Sequence, residues 1–263
     1  MNVLDFPRRK KSREPLVMLT CYDYTSARIL GASDVDMLLV GDSAAMVMHG
    51  HATTLPISIE DMAVHVRAVQ RGAPDKFIVA DMPFLSMRKG LQPAMSAVEM
   101  LLKAGANAVK VEGIRGQKTL VRHIVESGVP VMGHLGLTPQ SVHALGGYRV
   151  QGREGSVREE LLQDAMACQG AGCLALVLEC VPESLAREIT RRLDIPTIGI
   201  GAGPDTDGQV LVFQDLLGLG EGHSPRFVRQ YLGGRKMFLE AVNRFAQDVR
   251  EGAFPAASER YAG

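Results

Sequence analysis

Short apolar runs alternate with longer amphipathic stretches over the first 205 residues of the chain. The apolar runs, rich in Val, Ile and Leu, fall at 16–22, 37–43, 77–84, 108–113, 130–136, 174–180 and 196–203. Stretches with helical spacing separate them, such as IEDMAVHVRAVQRG, in which Met62, Val66 and Val69 lie along one stripe. Strands that alternate with helices predict right-handed βαβ units and a parallel sheet.

The number of these units predicts the architecture. Seven strands are clear, and we expect an eighth within 209–218, a stretch that is also compatible with a helix. Eight βα units in a chain of this length predict a (β/α)8 TIM barrel. A doubly wound open sheet is the alternative, although no GxGxxG fingerprint follows the first strand. We expect a single barrel domain over 1–263, with 225–263 as a helical extension.

Acidic residues recur at the carboxyl ends of four predicted strands. They are Asp42 in MLLVGD, Asp81 in FIVAD, Glu112 in AVKVE and Glu179 in LALVLE. In a parallel barrel these ends meet at one face, where the active sites of this fold lie. Clustered carboxylates repel one another, and a divalent cation with hard oxygen ligands, such as Mg²⁺, removes that cost. The pattern therefore favours a metal site over four separate helix caps or turns.

The fourth strand carries two charges on one face. Lys110 and Glu112 are two residues apart in VKVEG, so their side chains point the same way. Burying both is costly unless they pair or bind a ligand. They are therefore either a structural ion pair or part of a polar site, and His134 in VMGHLG is expected at the same level.

Several other features have two interpretations each. GIGAG (199–203) is compatible with a phosphate cradle or with close packing where a strand leaves the barrel. His49 and His51 are either a metal-binding pair or surface histidines of a loop. Cys180 is expected in the core rather than as a nucleophile, because it faces away from Glu179. The long connections 44–58 and 137–156 indicate loops that cover the site.

Composition narrows the class of protein. Lys plus Arg and Asp plus Glu both number 29, so nothing indicates affinity for nucleic acid or an anionic membrane. No stretch has the apolar length of a membrane span or of a signal core, and the four cysteines match no zinc spacing. We expect a cytoplasmic protein with reduced thiols that acts on small molecules.

Ordered motifs across residues 15–250 resemble the ketopantoate hydroxymethyltransferase family. They are TCYDYTSA, LVGDS, GHATTLP, ADMPF, VKVEG, GHLGLTPQSV, GGYRVQGR, LVLECVP and GIGAG followed by TDGQVLV. The resemblance implies a barrel of the phosphoenolpyruvate mutase/isocitrate lyase type. It also implies transfer of a hydroxymethyl group from 5,10-methylenetetrahydrofolate to 3-methyl-2-oxobutanoate through a metal-stabilised enolate. The product would be 2-dehydropantoate, for pantothenate and coenzyme A biosynthesis, and the assembly a homodecamer.

The resemblance further implies a role for each polar residue of the site. The Mg²⁺ ligands would be Asp42, Asp81 and Glu112. The contacts to the oxo acid would be Asp42, Ser43, Asp81, Lys110 and His134. Glu179 would accept the proton from substrate carbon C3. The chain departs from the family pattern in SAAM after GD, at Ala52 and in GGYR, positions that lie outside the metal ligands and Glu179.

Two other functions compete with this interpretation. One is a Mg²⁺-dependent carbon–carbon lyase of the same superfamily, but such lyases commonly use a loop cysteine, and neither long loop contains one. The other is a barrel that binds an oxo acid without catalysis, which the full set of strand-end acids disfavours. Formation of 2-dehydropantoate from both substrates distinguishes the transferase from either.

Overall fold

The computed structural model describes residues 1–153, 155–221 and 225–261, and it divides the chain into two compact units, Met1–Val212 and Phe213–Gly263. Within the first unit, eight parallel strands form a closed barrel in chain order, and the last strand pairs with the first. The predicted (β/α)8 barrel is therefore confirmed. Residue 154 of the predicted loop 137–156, and residues 262 and 263 of the predicted extension, lie outside the described residues.

The strands and helices alternate as the apolar pattern predicts. The strands are β1 Leu16–Thr20, β2 Met37–Val40, β3 Phe77–Asp81, β4 Ala108–Glu112, β5 Val131–Gly136, β6 Ala175–Glu179, β7 Thr197–Ile200 and β8 Gly208–Leu211. The helices of the first unit are α1 Asp5–Ser12, α2 Tyr24–Gly31, α3 Ala44–Val47, α4 Ile59–Gly72, α5 Leu91–Ala104, α6 Lys118–Glu126, α7 Gly155–Gly170 and α8 Glu183–Arg192, with a 3₁₀ turn at Pro139–Ser141.

The barrel interior is apolar except at its carboxyl end. Alternate strand residues point inward and form one core, which consists of Leu16, Met18, Met37, Leu39, Phe77, Val79, Ala108, Met132, Ala175, Val177, Ile198 and Val210, together with Phe6. Phe6 of α1 packs edge-on against Phe77, the first residue of β3, with ring centroids 5.2 Å apart. This aromatic pair fills the amino-terminal end of the barrel, so polar side chains inside it are concentrated at the opposite mouth.

Helix α4 shows how local sequence sets a helix and its packing. A capping box starts it, because the Ser58 hydroxyl accepts from the Asp61 amide and the Asp61 carboxylate accepts from the Ser58 amide. The predicted stripe of Met62, Val66 and Val69 is buried. Gly72 ends the helix against α2, where a Cβ would lie 2.5 Å from the Cβ of Ala27. A side chain at 72 would therefore push the two helices apart.

The second unit begins with α9 Phe213–Leu216 and contains the longer helix α10 Gly234–Arg250, followed by a 3₁₀ turn at Ala257–Glu259. The region 209–218 thus holds both the end of β8 and a short helix, which explains why its sequence is compatible with either. The expectation of a single domain with a helical extension over 225–263 stays a prediction. None of the helices in the described ranges has the combined length and apolarity required to cross a bilayer.

Candidate active site

Strand register brings the predicted polar residues to one mouth of the barrel. Asp81 at the end of β3 lies opposite Lys110 of β4, and Glu112 at the end of β4 lies opposite His134 of β5. Glu179 is the last residue of β6. Because residues of one pleat face the same side, these side chains converge above the apolar core.

The first two acids are linked directly. Asp42 follows β2, and its backbone N–H donates to Oδ2 of Asp81 at 3.0 Å. Gly41 permits this tight turn, since a Cβ there would lie 2.8 Å from the Ser43 hydroxyl. Burial, followed by the charges of Asp81 and Glu112, raises the pKa of Asp42 well above its ordinary value. Asp42 is therefore costly to keep ionised unless a cation compensates it.

Lys110 lies among the carboxylates. Its Nζ is 3.1 Å from Oδ1 of Asp81, and both side chains are at most 5% exposed. Burial lowers the pKa of Lys110, but Asp81, Glu112 and Asp42 together outweigh burial and leave that pKa raised. The ammonium group therefore stays charged. Its closest acidic partner is on the neighbouring strand rather than Glu112 on its own strand, so the charges of VKVEG belong to a larger cluster.

His134 connects the fourth acid to this cluster. Its Nδ1 is 3.5 Å from Oε1 of Glu112, and its Nε2 is 3.2 Å from Oε2 of Glu179. Burial and the charge of Lys110 lower the pKa of His134, but its contacts with Glu112 and Glu179 raise it further, to about 9. The two carboxylates therefore favour the protonated ring. The Lys110 Nζ is 3.1 Å from Nδ1 of His134, so the lysine and the histidine share the same acidic surroundings.

Gln140 is a site residue that the sequence analysis missed. It lies in the 3₁₀ turn after β5, and its Nε2 donates to Oδ2 of Asp42 at 2.8 Å and to the Met82 carbonyl at 2.9 Å. Its backbone N–H donates to Oε2 of Glu112 at 3.0 Å. Gln140 carries no charge and lies in a loop, so the only sequence feature that could have indicated a role at the site is its place within the motif GHLGLTPQSV.

Ser43 is also held by a residue that sequence reasoning missed. The hydroxyls of Ser43 and Tyr22 are hydrogen-bonded at 2.7 Å. Tyr22 is buried, and burial raises the pKa of its phenol. Its hydroxyl therefore stays protonated and fixes the Ser43 side chain beside Asp42.

The ring of His49 lies closer to His65 of α4 than to His51, the partner that the sequence suggested for a metal pair. The Nε2 atoms of His49 and His65 are 2.9 Å apart, and Nδ1 of His65 contacts the Tyr22 carbonyl at 2.7 Å. The rings of His49 and His51 are 6.3 Å apart. His49 and His51 are exposed, as expected for loop histidines.

Gly199 and Cys180 belong to the two remaining ambiguous features of the sequence. A Cβ at Gly199 would lie 2.6 Å from the Thr206 hydroxyl, so this glycine of GIGAG serves close packing. Cys180 follows the end of β6 and is half-buried, so the expected core position is wrong. Burial together with Glu179 raises its thiol pKa to about 12. A thiol with so high a pKa is a poor nucleophile at neutral pH.

The donor set fits a divalent cation, although the side chains do not surround an ion as they stand. Across the described ranges, no group of three or more His, Cys, Asp or Glu side chains has a metal-holding arrangement. The Lys110 ammonium lies among the acids instead. Even so, Asp81 Oδ1 and Glu112 Oε1 are buried without a hydrogen-bond partner, apart from the ion pairs with Lys110 at Asp81 and with His134 at Glu112. Buried carboxylate oxygens in excess over cations suit Mg²⁺.

Comparison with known proteins decides the family. A family model described as ketopantoate hydroxymethyltransferase matches residues 1–257. The chain belongs to this family. A 3-methyl-2-oxobutanoate hydroxymethyltransferase from Bdellovibrio bacteriovorus is 56% identical over 259 residues, with 98% of each chain covered. One from Coxiella burnetii is 53% identical over 256 residues, covering 97% of this chain and 96% of the relative.

Membership of this family identifies the protein as an enzyme, a hydroxymethyltransferase. The family assignment therefore favours the transferase over the two competing interpretations, the carbon–carbon lyase and the barrel without catalysis.

Solved structures share the fold at low sequence identity. A phosphonopyruvate hydrolase in complex with oxalate and Mg²⁺ aligns with a TM-score of 0.64 at 12% identity, covering 98% of this hydroxymethyltransferase and 93% of that chain. A 2,3-dimethylmalate lyase, described as a PEP mutase/isocitrate lyase superfamily member, aligns with a TM-score of 0.60 at 15% identity, covering 99% and 91%. These likenesses confirm the predicted barrel fold.

Proposed function

We propose that the enzyme transfers a hydroxymethyl group from 5,10-methylenetetrahydrofolate to 3-methyl-2-oxobutanoate in a Mg²⁺-dependent reaction that yields 2-dehydropantoate. The observation that carries the proposal is the convergence of four carboxylates, Lys110 and His134 at one barrel mouth. The names of the curated relatives support the substrate. In the same proposal the enzyme serves pantothenate biosynthesis in the cytoplasm as a homodecamer.

The metal ligands in this proposal are Asp42, Asp81 and Glu112. The buried oxygens Asp81 Oδ1 and Glu112 Oε1 receive no amide donor. Burial, followed by the charges of Asp81 and Glu112, raises the pKa of Asp42, so a cation at this position would stabilise its ionised form. A bound divalent cation would polarise the substrate ketone and offset the charge that develops as the C3 proton leaves.

Glu179 takes the C3 proton. Its side chain is 17% exposed, against 6% for Glu112 and 3% for Asp81, so it is the more accessible of these acids. Its Oε2 lies 3.2 Å from Nε2 of His134, so the imidazole borders the proposed base. Carbon C3 of the resulting enolate then bonds to the methylene carbon supplied by the folate. Both C–N bonds to that carbon break, and one water molecule supplies the hydroxyl oxygen of the product and the hydrogen that tetrahydrofolate gains.

Lys110 and Ser43 serve the carboxylate end of the oxo acid. The Lys110 ammonium supplies a buried positive charge next to Asp81, and Tyr22 holds the Ser43 hydroxyl beside Asp42. The full set of proposed substrate contacts is Asp42, Ser43, Asp81, Lys110 and His134. A buried cation recognises a carboxylate strongly because little water screens it.

The test supplies purified enzyme with Mg²⁺, 3-methyl-2-oxobutanoate and 5,10-methylenetetrahydrofolate. The proposal requires 2-dehydropantoate to form, in an amount equal to the tetrahydrofolate released. Omission of either organic substrate is the control. If the oxo acid is consumed without folate, or no product forms with both, the proposal is wrong.

A further inference from the structure

The three proposed metal ligands share one hydrogen-bonding pattern. An amide N–H holds one oxygen of each carboxylate: Asp42 N holds Oδ2 of Asp81, Gln140 Nε2 holds Oδ2 of Asp42, and Gln140 N holds Oε2 of Glu112. Two of these three donors come from Gln140. One residue of the loop after β5 therefore restrains acids from two other strand ends.

The opposite oxygens receive no amide donor. Asp81 Oδ1 and Glu112 Oε1 are both buried, and each lies beside a basic side chain: Lys110 Nζ is 3.1 Å from the former and His134 Nδ1 is 3.5 Å from the latter. Amide donors are neutral, so they fix a carboxylate without adding a positive charge that would repel a cation. A second basic side chain in the place of Gln140 would instead compete with the metal.

We propose that Gln140 is a positioning residue that orients Asp42 and Glu112 for a divalent cation. The inference rests on the proposed function, in which these acids hold Mg²⁺. Its third contact, to the Met82 carbonyl, fixes the amide against the residue that follows β3. Hydrogen-bonded partners of metal ligands commonly contribute about 10- to 100-fold to metal affinity, because they remove the orientational freedom of the ligand.

The experiment measures Mn²⁺ binding by the full-length enzyme without substrates, from the electron paramagnetic resonance signal of free Mn²⁺. Gln140→Met keeps the side-chain length and the backbone donor to Glu112 but removes the donor to Asp42. We expect its Kd for Mn²⁺ to rise about 10- to 100-fold. Gln140→Ala provides a second variant if the first unfolds, and thermal unfolding of each variant checks folding.

Gln151→Met is the matched control. Gln151 lies in the same loop, but its side chain donates only to the Arg149 carbonyl among the hydrogen bonds of the described residues. Its Kd for Mn²⁺ should stay within about twofold of the wild-type value. Steady-state kinetics add a second readout, since a positioning role raises the Mg²⁺ concentration needed for half-maximal rate more than it lowers kcat.

The outcomes separate this inference from the proposed function. Equal Mn²⁺ affinity in wild type and Gln140→Met overturns the positioning role but leaves the metal site intact. Tighter binding also overturns it, because Gln140 would then compete with the cation. If the wild type binds no Mn²⁺, or if Asp42→Asn binds it as well as wild type, the metal site itself is wrong and the inference falls with it.

Discussion

Replacing Lys110 by methionine tests the electrostatics of the site most directly. The Lys110 Nζ and Asp81 Oδ1 are 3.1 Å apart and almost fully buried. At an effective dielectric constant of about 20, two unit charges at that distance attract by roughly 5 kcal/mol. Removing one partner of a buried pair typically costs about 3–5 kcal/mol, because the other charge remains buried and uncompensated. We expect Lys110→Met to lower the free energy of unfolding by that amount at pH 8.

The ion pair does not determine the pKa of Asp81 and the pKa of Lys110 to the same extent. Burial raises the pKa of Asp81 more than Lys110 lowers it, whereas the carboxylates raise the pKa of Lys110 despite its burial. Asp42 and Glu112 also stabilise the charge of Lys110, so loss of Asp81 leaves the ammonium with two other acidic neighbours. Asp81→Asn should therefore be less destabilising than Lys110→Met.

The pH dependence has a definite sign. A lysine with a raised pKa in the folded state contributes its stability below its unfolded value of about 10.4 and loses it as pH rises through the folded pKa. The raised carboxyl pKa values of Asp42 and Asp81 mean that protonation favours the folded state as pH falls. The cost of Lys110→Met should therefore be smaller at pH 5.5 than at pH 8.

The assay is urea unfolding in the presence of a chelator, at both pH values, for wild type, each single variant and the double variant. Lys103→Met is the control, since its side chain is 76% exposed and such a change should stay within about 0.5 kcal/mol. A cost for Lys110→Met below about 1 kcal/mol, or one that does not change with pH, refutes the reasoning.

Three further predictions concern the base, the metal and the core. Glu179→Gln should retain oxo-acid binding but slow C3 proton exchange into D₂O, followed by NMR, by about 10²- to 10⁴-fold; unchanged exchange removes Glu179 from that role. Chelation with EDTA should abolish formation of 2-dehydropantoate and added Mg²⁺ should restore it, whereas full activity of the chelated enzyme contradicts the metal mechanism. Phe6→Ala should lower the free energy of unfolding by about 3–5 kcal/mol in urea, and a loss typical of a surface position would show that the barrel end does not need Phe6.

The fold was predictable because its signal is local and repeated. Each apolar run predicts a strand, and each amphipathic stretch predicts a helix that covers it, so eight repeats leave few architectures. The eighth run was ambiguous because β8 Gly208–Leu211 and α9 Phe213–Leu216 follow each other with one residue between them. Neither β8 nor α9 is long enough for its residues to show the periodicity of a strand or of a helix.

The acids of the site were predictable for a different reason. The barrel requires that strand ends meet, so Asp81, Glu112 and Glu179 could be placed together from their positions in the strands alone. Gln140 and Tyr22 could not, because uncharged residues outside the strands follow no comparable rule. Their contacts depend on how a turn folds back over the mouth, which is a long-range property of the structure.

The Lys110–Asp81 pair also bears on how the proposed reaction would begin. The Asp81 oxygen that pairs with Lys110 is Oδ1, the same oxygen that the hydrogen bond from Asp42 leaves available for a cation. A cation held by Asp81 would compete with Lys110 for this oxygen. Lys110 would then be available to the carboxylate of the oxo acid. In this view the ion pair neutralises Lys110 until both ligands are present, which explains a lysine inside a barrel whose other layers are apolar.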